Sequence, residues 1–133
     1  MKGKISIVAG EFHREHTNKM VAAAESRAKE LELVIATIEW VPGAFEMPLA
    51  VKRQIESLNP DGCVVLGVIE KGETKRGLVL AHGLVSALID MQLKYMKPIG
   101  FGIVGPDIMP SQMPPRLEPY AAGAVSAVSK MLR

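Results

Sequence analysis

Cys63-Val64-Val65-Leu66-Gly67-Val68-Ile69 carries no charge at any position, and turn-forming Leu58-Asn59-Pro60-Asp61-Gly62 and polar Glu70-Lys71-Gly72 close it on either side. An apolar run of this length, rich in β-branched residues, reads as a strand. Polar and apolar residues do not alternate along it, so neither face is expected to meet water. A strand buried on both faces belongs to a parallel sheet covered by helices. That requirement organises the reading of everything else in the chain.

Three more strands are needed to build such a sheet, and the sequence offers them. Ile5-Ser6-Ile7-Val8-Ala9 is closed by Gly10-Glu11-Phe12-His13. Thr17 or Asn18 can then cap a helix whose inner stripe is Met20, Ala24, Ala28 and Leu31. Leu33 to Ile38 is a second β-rich run, and Pro42-Gly43 turns the chain. From Ala44 the apolar spacing becomes helical, with Ala44, Met47, Pro48, Val51 and Ile55 on one face. Pro48 falls near the helix start, where its missing N–H matters least. After Cys63–Ile69, a polar loop enters a helix expected over roughly 75–95. Leu78, Val79, Leu80, Leu84, Val85, Leu88, Ile89, Met91, Leu93 and Met96 leave that helix little polar surface. A helix apolar nearly all round is buried on several sides. A chain of 133 residues builds one core, so the extra face is expected to pack on a neighbouring subunit. Ile99 to Val104 is the fourth strand, and Gly105-Pro106-Asp107-Ile108-Met109-Pro110 interrupts structure. A last helical stripe, Ala121, Ala124, Val125, Val128 and Leu132, follows Tyr120. Four strands alternating with helices predict one α/β domain over 1–133, a three-layer α/β/α arrangement with right-handed crossovers.

Composition narrows the function. Sixteen Lys and Arg against 14 Asp and Glu give a net charge of +2, and no basic block occurs, which speaks against nucleic acid. Cys63 is the lone cysteine and lies in an apolar run, as expected for a buried thiol in a reducing compartment. No run of 18 apolar residues occurs, and Met1-Lys2-Gly3-Lys4 leads straight into the first strand. The expectation is a cytoplasmic protein with no membrane span.

Ligands of such sheets sit at the C-terminal ends of the strands. Phe12-His13, Pro42 to Glu46, Lys71 to Arg76, and Phe101 with Gly105 all belong to segments leaving those ends. Phe12, Phe45 and Phe101 are the only phenylalanines; each alone reads as core filler, and together they suggest a stacking platform for a flat heterocycle. Phe45 beside Glu46 suits a planar, hydroxyl-bearing ligand. Gly72-Glu73-Thr74, at the head of the long helix, offers N–H groups and a hydroxyl to a phosphate, although it is not a P-loop. Arg116 either supplies a fork for the same anion or is a solvated surface charge. His13 lies beside Phe12 and can shuttle protons near neutral pH, whereas His82, in the apolar helix, reads as a satisfied buried histidine. The three histidines are too scattered for a metal site, and no Gly-x-Ser-x-Gly, His-Glu-x-x-His or Gly-x-Gly-x-x-Gly motif is present.

The ordered set Gly10-Glu11-Phe12, Val41-Pro42-Gly43-Ala44-Phe45-Glu46-Met47-Pro48, Val68-Ile69 with Gly72-Glu73-Thr74, and Lys97-Pro98-Ile99-Gly100-Phe101-Gly102-Ile103 resembles the lumazine synthase family across essentially the whole chain. The resemblance implies a flavodoxin-like strand order 2-1-3-4. It also implies a cofactor-free transferase of riboflavin biosynthesis, which condenses 5-amino-6-(D-ribitylamino)uracil with 3,4-dihydroxy-2-butanone 4-phosphate. The products would be 6,7-dimethyl-8-ribityllumazine, phosphate and water. In the arrangement implied, Phe12 and Phe101 flank the pyrimidine. Gly43, Ala44, Phe45, Glu46, Val68 and Ile69 complete the pyrimidine and ribityl site, and Gly72, Glu73, Thr74 and Arg116 surround the phosphate. The implied assembly is a homopentamer, or a multiple of pentamers, with active sites between subunits. One departure bears on chemistry: where the family has a proton-carrying histidine, this chain has Arg76. A guanidinium steadies an anion but does not act as a base. The resemblance therefore leaves Arg76 and His13 as the catalytic candidates, with an activity reduced by loss of the histidine. Two alternatives stay open: a catalytically weak lumazine- or flavin-binding assembly protein, and an archaeal-type riboflavin synthase.

Overall fold

The computed structural model describes residues 3–132. Four strands form one sheet: β1 Gly3–Gly10, β2 Leu33–Val41, β3 Gly62–Val68 and β4 Ile99–Val104. Their spatial order is β2-β1-β3-β4, and every neighbouring pair is parallel. This is the flavodoxin-like order, with β3 inside the sheet and β2 and β4 at its edges. All residues of β3 are buried, as its unbroken apolar run requires. Four α-helices cover the faces: α1 Arg14–Glu30, α2 Met47–Leu58, α3 Arg76–Tyr95 and α4 Pro114–Met131.

Side chains of successive strand residues point to opposite faces, and the core divides accordingly. Ile5, Ile7 and Ala9 of β1, with Val64, Leu66 and Val68 of β3, pack against α1 and α4. Met20, Ala24 and Ala28 from α1 meet Leu117, Ala121, Ala124, Val125 and Val128 from α4 there. On the opposite face Val8, Cys63, Val65, Ile99 and Ile103 pack against Met47, Val51 and Ile55 of α2 and Ala81, Leu84, Leu88 and Met91 of α3. The Gly100-Phe101-Gly102 sequence of β4 follows from this alternation. A Cβ on Gly100 would lie 2.5 Å from the Ala124 carbonyl oxygen, and one on Gly102 would lie 2.7 Å from a Leu66 methyl. The glycines let α4 press against the edge strand, while Phe101 points to the other side.

Several boundaries differ from the sequence reading. α1 begins at Arg14 rather than after Thr17. His13 is its N-cap in a left-handed conformation (φ 57°, ψ 49°), and its carbonyl accepts from the N–H groups of His16 and Thr17. Thr17 lies inside the helix and is buried. After the Pro42-Gly43 turn, Ala44–Glu46 forms a single 3₁₀ turn and α2 starts at Met47, with Pro48 in its first turn. α4 starts at Pro114, six residues before Tyr120. Pro114 and Pro115 occupy first-turn positions whose N–H groups lack helical partners in any helix, and Pro119 lies inside the helix.

Candidate active site

The C-terminal ends of β1 and β3 are neighbours in the sheet, so the segments leaving them meet. Glu11 donates its N–H to the Val41 carbonyl (2.8 Å), which pins the β1 exit to the end of β2. Beyond that anchor Phe12 is 55% exposed. Its ring meets the His13 imidazole edge-on, with centroids 4.4 Å apart and planes at 67°. The His16 ring stacks on the other side of His13 at 5.7 Å. Nε2 of His13 lies 2.5 Å from Oε2 of Glu70, the second residue beyond β3, and both side chains are about one-third exposed. Sequence reasoning placed Glu70 only in a polar loop. The signal that could have found it is topological: residues leaving adjacent parallel strands arrive side by side.

Glu70 is also a wall of a cleft of ≈ 340 Å³ at the head of α3, shared with Gly72, Glu73, Thr74, Gly77 and Asp107. Gly72, Glu73, Thr74 and Arg76 are all exposed. The Thr74 hydroxyl accepts from the Arg76 N–H at 3.3 Å, closing the loop onto the helix start. The free N–H groups there carry the positive end of the α3 dipole. Lys71 fastens this loop to the β4–α4 connection, through its N–H to the Ile108 carbonyl (3.3 Å) and its ammonium to Asp107 (3.3 Å). In that connection Gly105 adopts φ 108°, and a Cβ there would lie 2.0 Å from the Ile69 carbonyl oxygen. Only glycine allows the two segments to approach so closely.

At the β2–α2 corner Gly43 is extended and its carbonyl accepts the Glu46 N–H at 3.2 Å. Phe45 projects from this turn and is 79% exposed, while Gly43, Ala44 and Glu46 are half-buried. The Glu46 carboxylate curls back to 3.8 Å from where a Gly43 side chain would begin. A ligand lying on the corner would meet an aromatic ring, a carboxylate and bare backbone.

One chain brings together Phe12, His13 and the Gly72–Thr74 cleft. It does not bring Phe101 or Arg116 to them. Phe101 pairs with Val65 and thus lies level with Val8 of β1, whose strand continues to Gly10. Its ring is therefore not at a strand end as expected, but roughly 7 Å lower and two strands, roughly 10 Å, across. It is 40% exposed on the edge strand β4. Arg116 belongs to the first turn of α4, not to a loop before it. Its guanidinium donates to the Gln112 carbonyl (2.7 Å), and it lines a separate depression of ≈ 300 Å³ with Tyr120 and Gln112 that shares Asp107 with the first cleft. Val68 and Ile69 stand at the rim by backbone only: their side chains are buried, and the Ile69 N–H is taken by Val104. His82, expected to be buried, is exposed on α3, because the face of α3 that meets the sheet runs through Ala81, Leu84, Leu88 and Met91 instead. Cys63 is buried as expected. Burial pushes its thiol pKa up from the usual 9.0, and the Ser6 hydroxyl, 3.1 Å from the sulfur, acts in the opposite direction.

Comparison with known proteins matches residues 2–133 to the family described as 6,7-dimethyl-8-ribityllumazine synthase. Curated relatives carry the same name. One from Staphylothermus marinus is 40% identical over 129 residues, covering 97% of this chain and 86% of the relative. One from Metallosphaera sedula is 38% identical over 130 residues, 98% and 86% of the two chains. One from Saccharolobus solfataricus is 35% identical over 130 residues, 98% and 84%. With the parallel sheet in order 2-1-3-4, these matches establish that the chain belongs to the 6,7-dimethyl-8-ribityllumazine synthase family.

Proposed function

We propose that the protein condenses 5-amino-6-(D-ribitylamino)uracil with 3,4-dihydroxy-2-butanone 4-phosphate to 6,7-dimethyl-8-ribityllumazine, with release of phosphate, as a transferase of riboflavin biosynthesis in the cytoplasm. The observation that carries this reading is family similarity running through nearly every residue of the chain. The rim geometry supports it. The pyrimidine brings its own amine and the sugar fragment its own carbonyl. The protein has to hold the two in attack geometry, bind the phosphate and move protons, and positioning alone supplies up to about 7–11 kcal/mol.

In this reading Phe12 stacks on the pyrimidine and Gly43, Ala44, Phe45 and Glu46 meet the ribityl chain, its hydroxyls donating to the Glu46 carboxylate. Val68 and Ile69 contribute main chain. Gly72, Glu73 and Thr74 hold the phosphate over the positive end of α3, with Arg76 steadying the anion. Phe101 and Arg116 come from a second copy of the chain. The exposed apolar side of α3 (Leu78, Val79, Ile89 and Leu93) supports a homo-oligomer, a pentamer or multiple of pentamers, with active sites between subunits. Mixing purified protein with both substrates and measuring inorganic phosphate against the uncatalysed background tests the activity. Enhanced phosphate release with appearance of the lumazine is expected. Pyrimidine binding without phosphate release would identify a binding protein instead, and riboflavin formed from the lumazine alone would identify a riboflavin synthase.

A further inference from the structure

We propose that Glu70 is a positioning residue that holds the His13 imidazole as the proton carrier of the condensation, a role that rests on the lumazine synthase reading above. The contact is short, 2.5 Å from Nε2 to Oε2, and joins two side chains from the exits of adjacent strands. An ionised carboxylate only accepts hydrogen bonds, so Nε2 carries the hydrogen and Nδ1 keeps the lone pair. Glu70 thereby fixes both the tautomer and the orientation of the ring. The same carboxylate lines the cleft above Gly72 and Thr74, which puts the paired imidazole one side chain away from the candidate phosphate site.

The rest of the rim leaves this task to His13. Arg76, at the head of α3, stays protonated and has no lone pair to offer. His82 is exposed farther along α3, and His16 meets His13 by ring stacking. His13 also holds a left-handed backbone conformation (φ 57°), a region that histidine enters more readily than most non-glycine residues. The N–H groups of His16 and Thr17, both bonded to its carbonyl, keep it there.

The proton balance of the imine-forming step is closed. When the amine joins the ketone carbonyl as an imine, nitrogen gives up two protons and the carbonyl oxygen takes two, leaving as water. Neutral His13 accepts each proton from nitrogen at Nδ1 and returns it to oxygen, ending each cycle as it began. Glu70 stabilises the imidazolium that forms in between.

Glu70→Gln, His13→Asn and the double variant, each checked by circular dichroism, test the proposal with both substrates. Asparagine tolerates the left-handed conformation, so H13N removes the carrier without disturbing the start of α1. The expected loss in kcat is about 10- to 10²-fold for E70Q and about 10²-fold or more for H13N, with KM within about twofold in each. The double variant should be no slower than H13N, because the two residues act as one unit. A wild-type kcat in E70Q or H13N, or a double variant whose loss is the product of the two single losses, overturns the proposal while leaving the synthase reading intact. A wild-type protein that releases no phosphate overturns both.

Discussion

The two faces of the sheet are built to different ends. On one, α1 and α4 pack against each other and the strands, and the outward side of α1 is charged: Arg14, Glu15, Lys19, Glu25, Lys29 and Glu30 are all exposed. Arg27 of α1 donates to the Ser126 hydroxyl of α4 at 2.5 Å, tying the pair. On the other face α3 buries Ala81, Leu84, Leu88 and Met91, yet Val79 and Leu93 remain 68% and 70% exposed. A helix with a charged outer side has water as its final neighbour. One with an apolar outer side presents surface that chains of this size seldom leave in water. The same sheet thus supports a finished face and one shaped for further packing, which is why the oligomer reading rests on α3 and not on α1 or α4.

That contrast can be broken from either side, and the largest effect is expected on the finished face. Leu117→Ala removes a side chain that is 1% exposed between α4 and the sheet. It should cost about 2–5 kcal/mol, read from the urea midpoint. Gly100→Ala on the same face forces a methyl to 2.5 Å from a backbone oxygen that cannot rotate away. About 1–3 kcal/mol should be lost in the same measurement. Val79→Asp with Leu93→Asp, on the open face, should change the stability of the isolated chain by only about 0.5 kcal/mol each, while the sedimenting mass falls towards that of one 14.4 kDa chain. An unchanged mass would mean that α3 is not the contact.

The smallest effect concerns Cys63, beneath the open face. Burial holds its thiol pKa above the usual 9.0, so above pH 9 the unfolded chain binds fewer protons than the folded one. Stability then falls with rising pH. Cys63→Ala should flatten that slope in urea titrations between pH 8 and 10, and the native thiol should resist alkylation at pH 7.

The strands were legible in the sequence because apolar runs bounded by turn residues have few other uses, and Cys63–Ile69 forced a covered parallel sheet. The Phe12, Phe45 and Gly72–Thr74 rim followed from the strand exits. What was hidden depended on tertiary geometry. Pro114 and Pro115 break a helix in its interior and start one at its first turn, and nothing local tells which. His13 gives no cap signal, since a left-handed imidazole residue is an uncommon way to begin a helix. Phe101 is the third of six residues in the last strand, and the register with Val65 sets it at mid-sheet. The His13–Glu70 contact joins residues 57 apart, so only the strand order could reveal it.

α3 is by length and composition long and apolar enough to cross a membrane, and its place along the chain bears on how it is synthesised. β1, β2 and β3 all precede it, so three of the four strands leave the ribosome before it does. Domains assemble from the N-terminal side during synthesis at about 5–20 residues per second. A landing surface of Val8, Val65 and Met47 can therefore await the emerging segment, giving its inner stripe of Ala81, Leu84, Leu88 and Met91 a destination within the same molecule before a lipid bilayer competes for it.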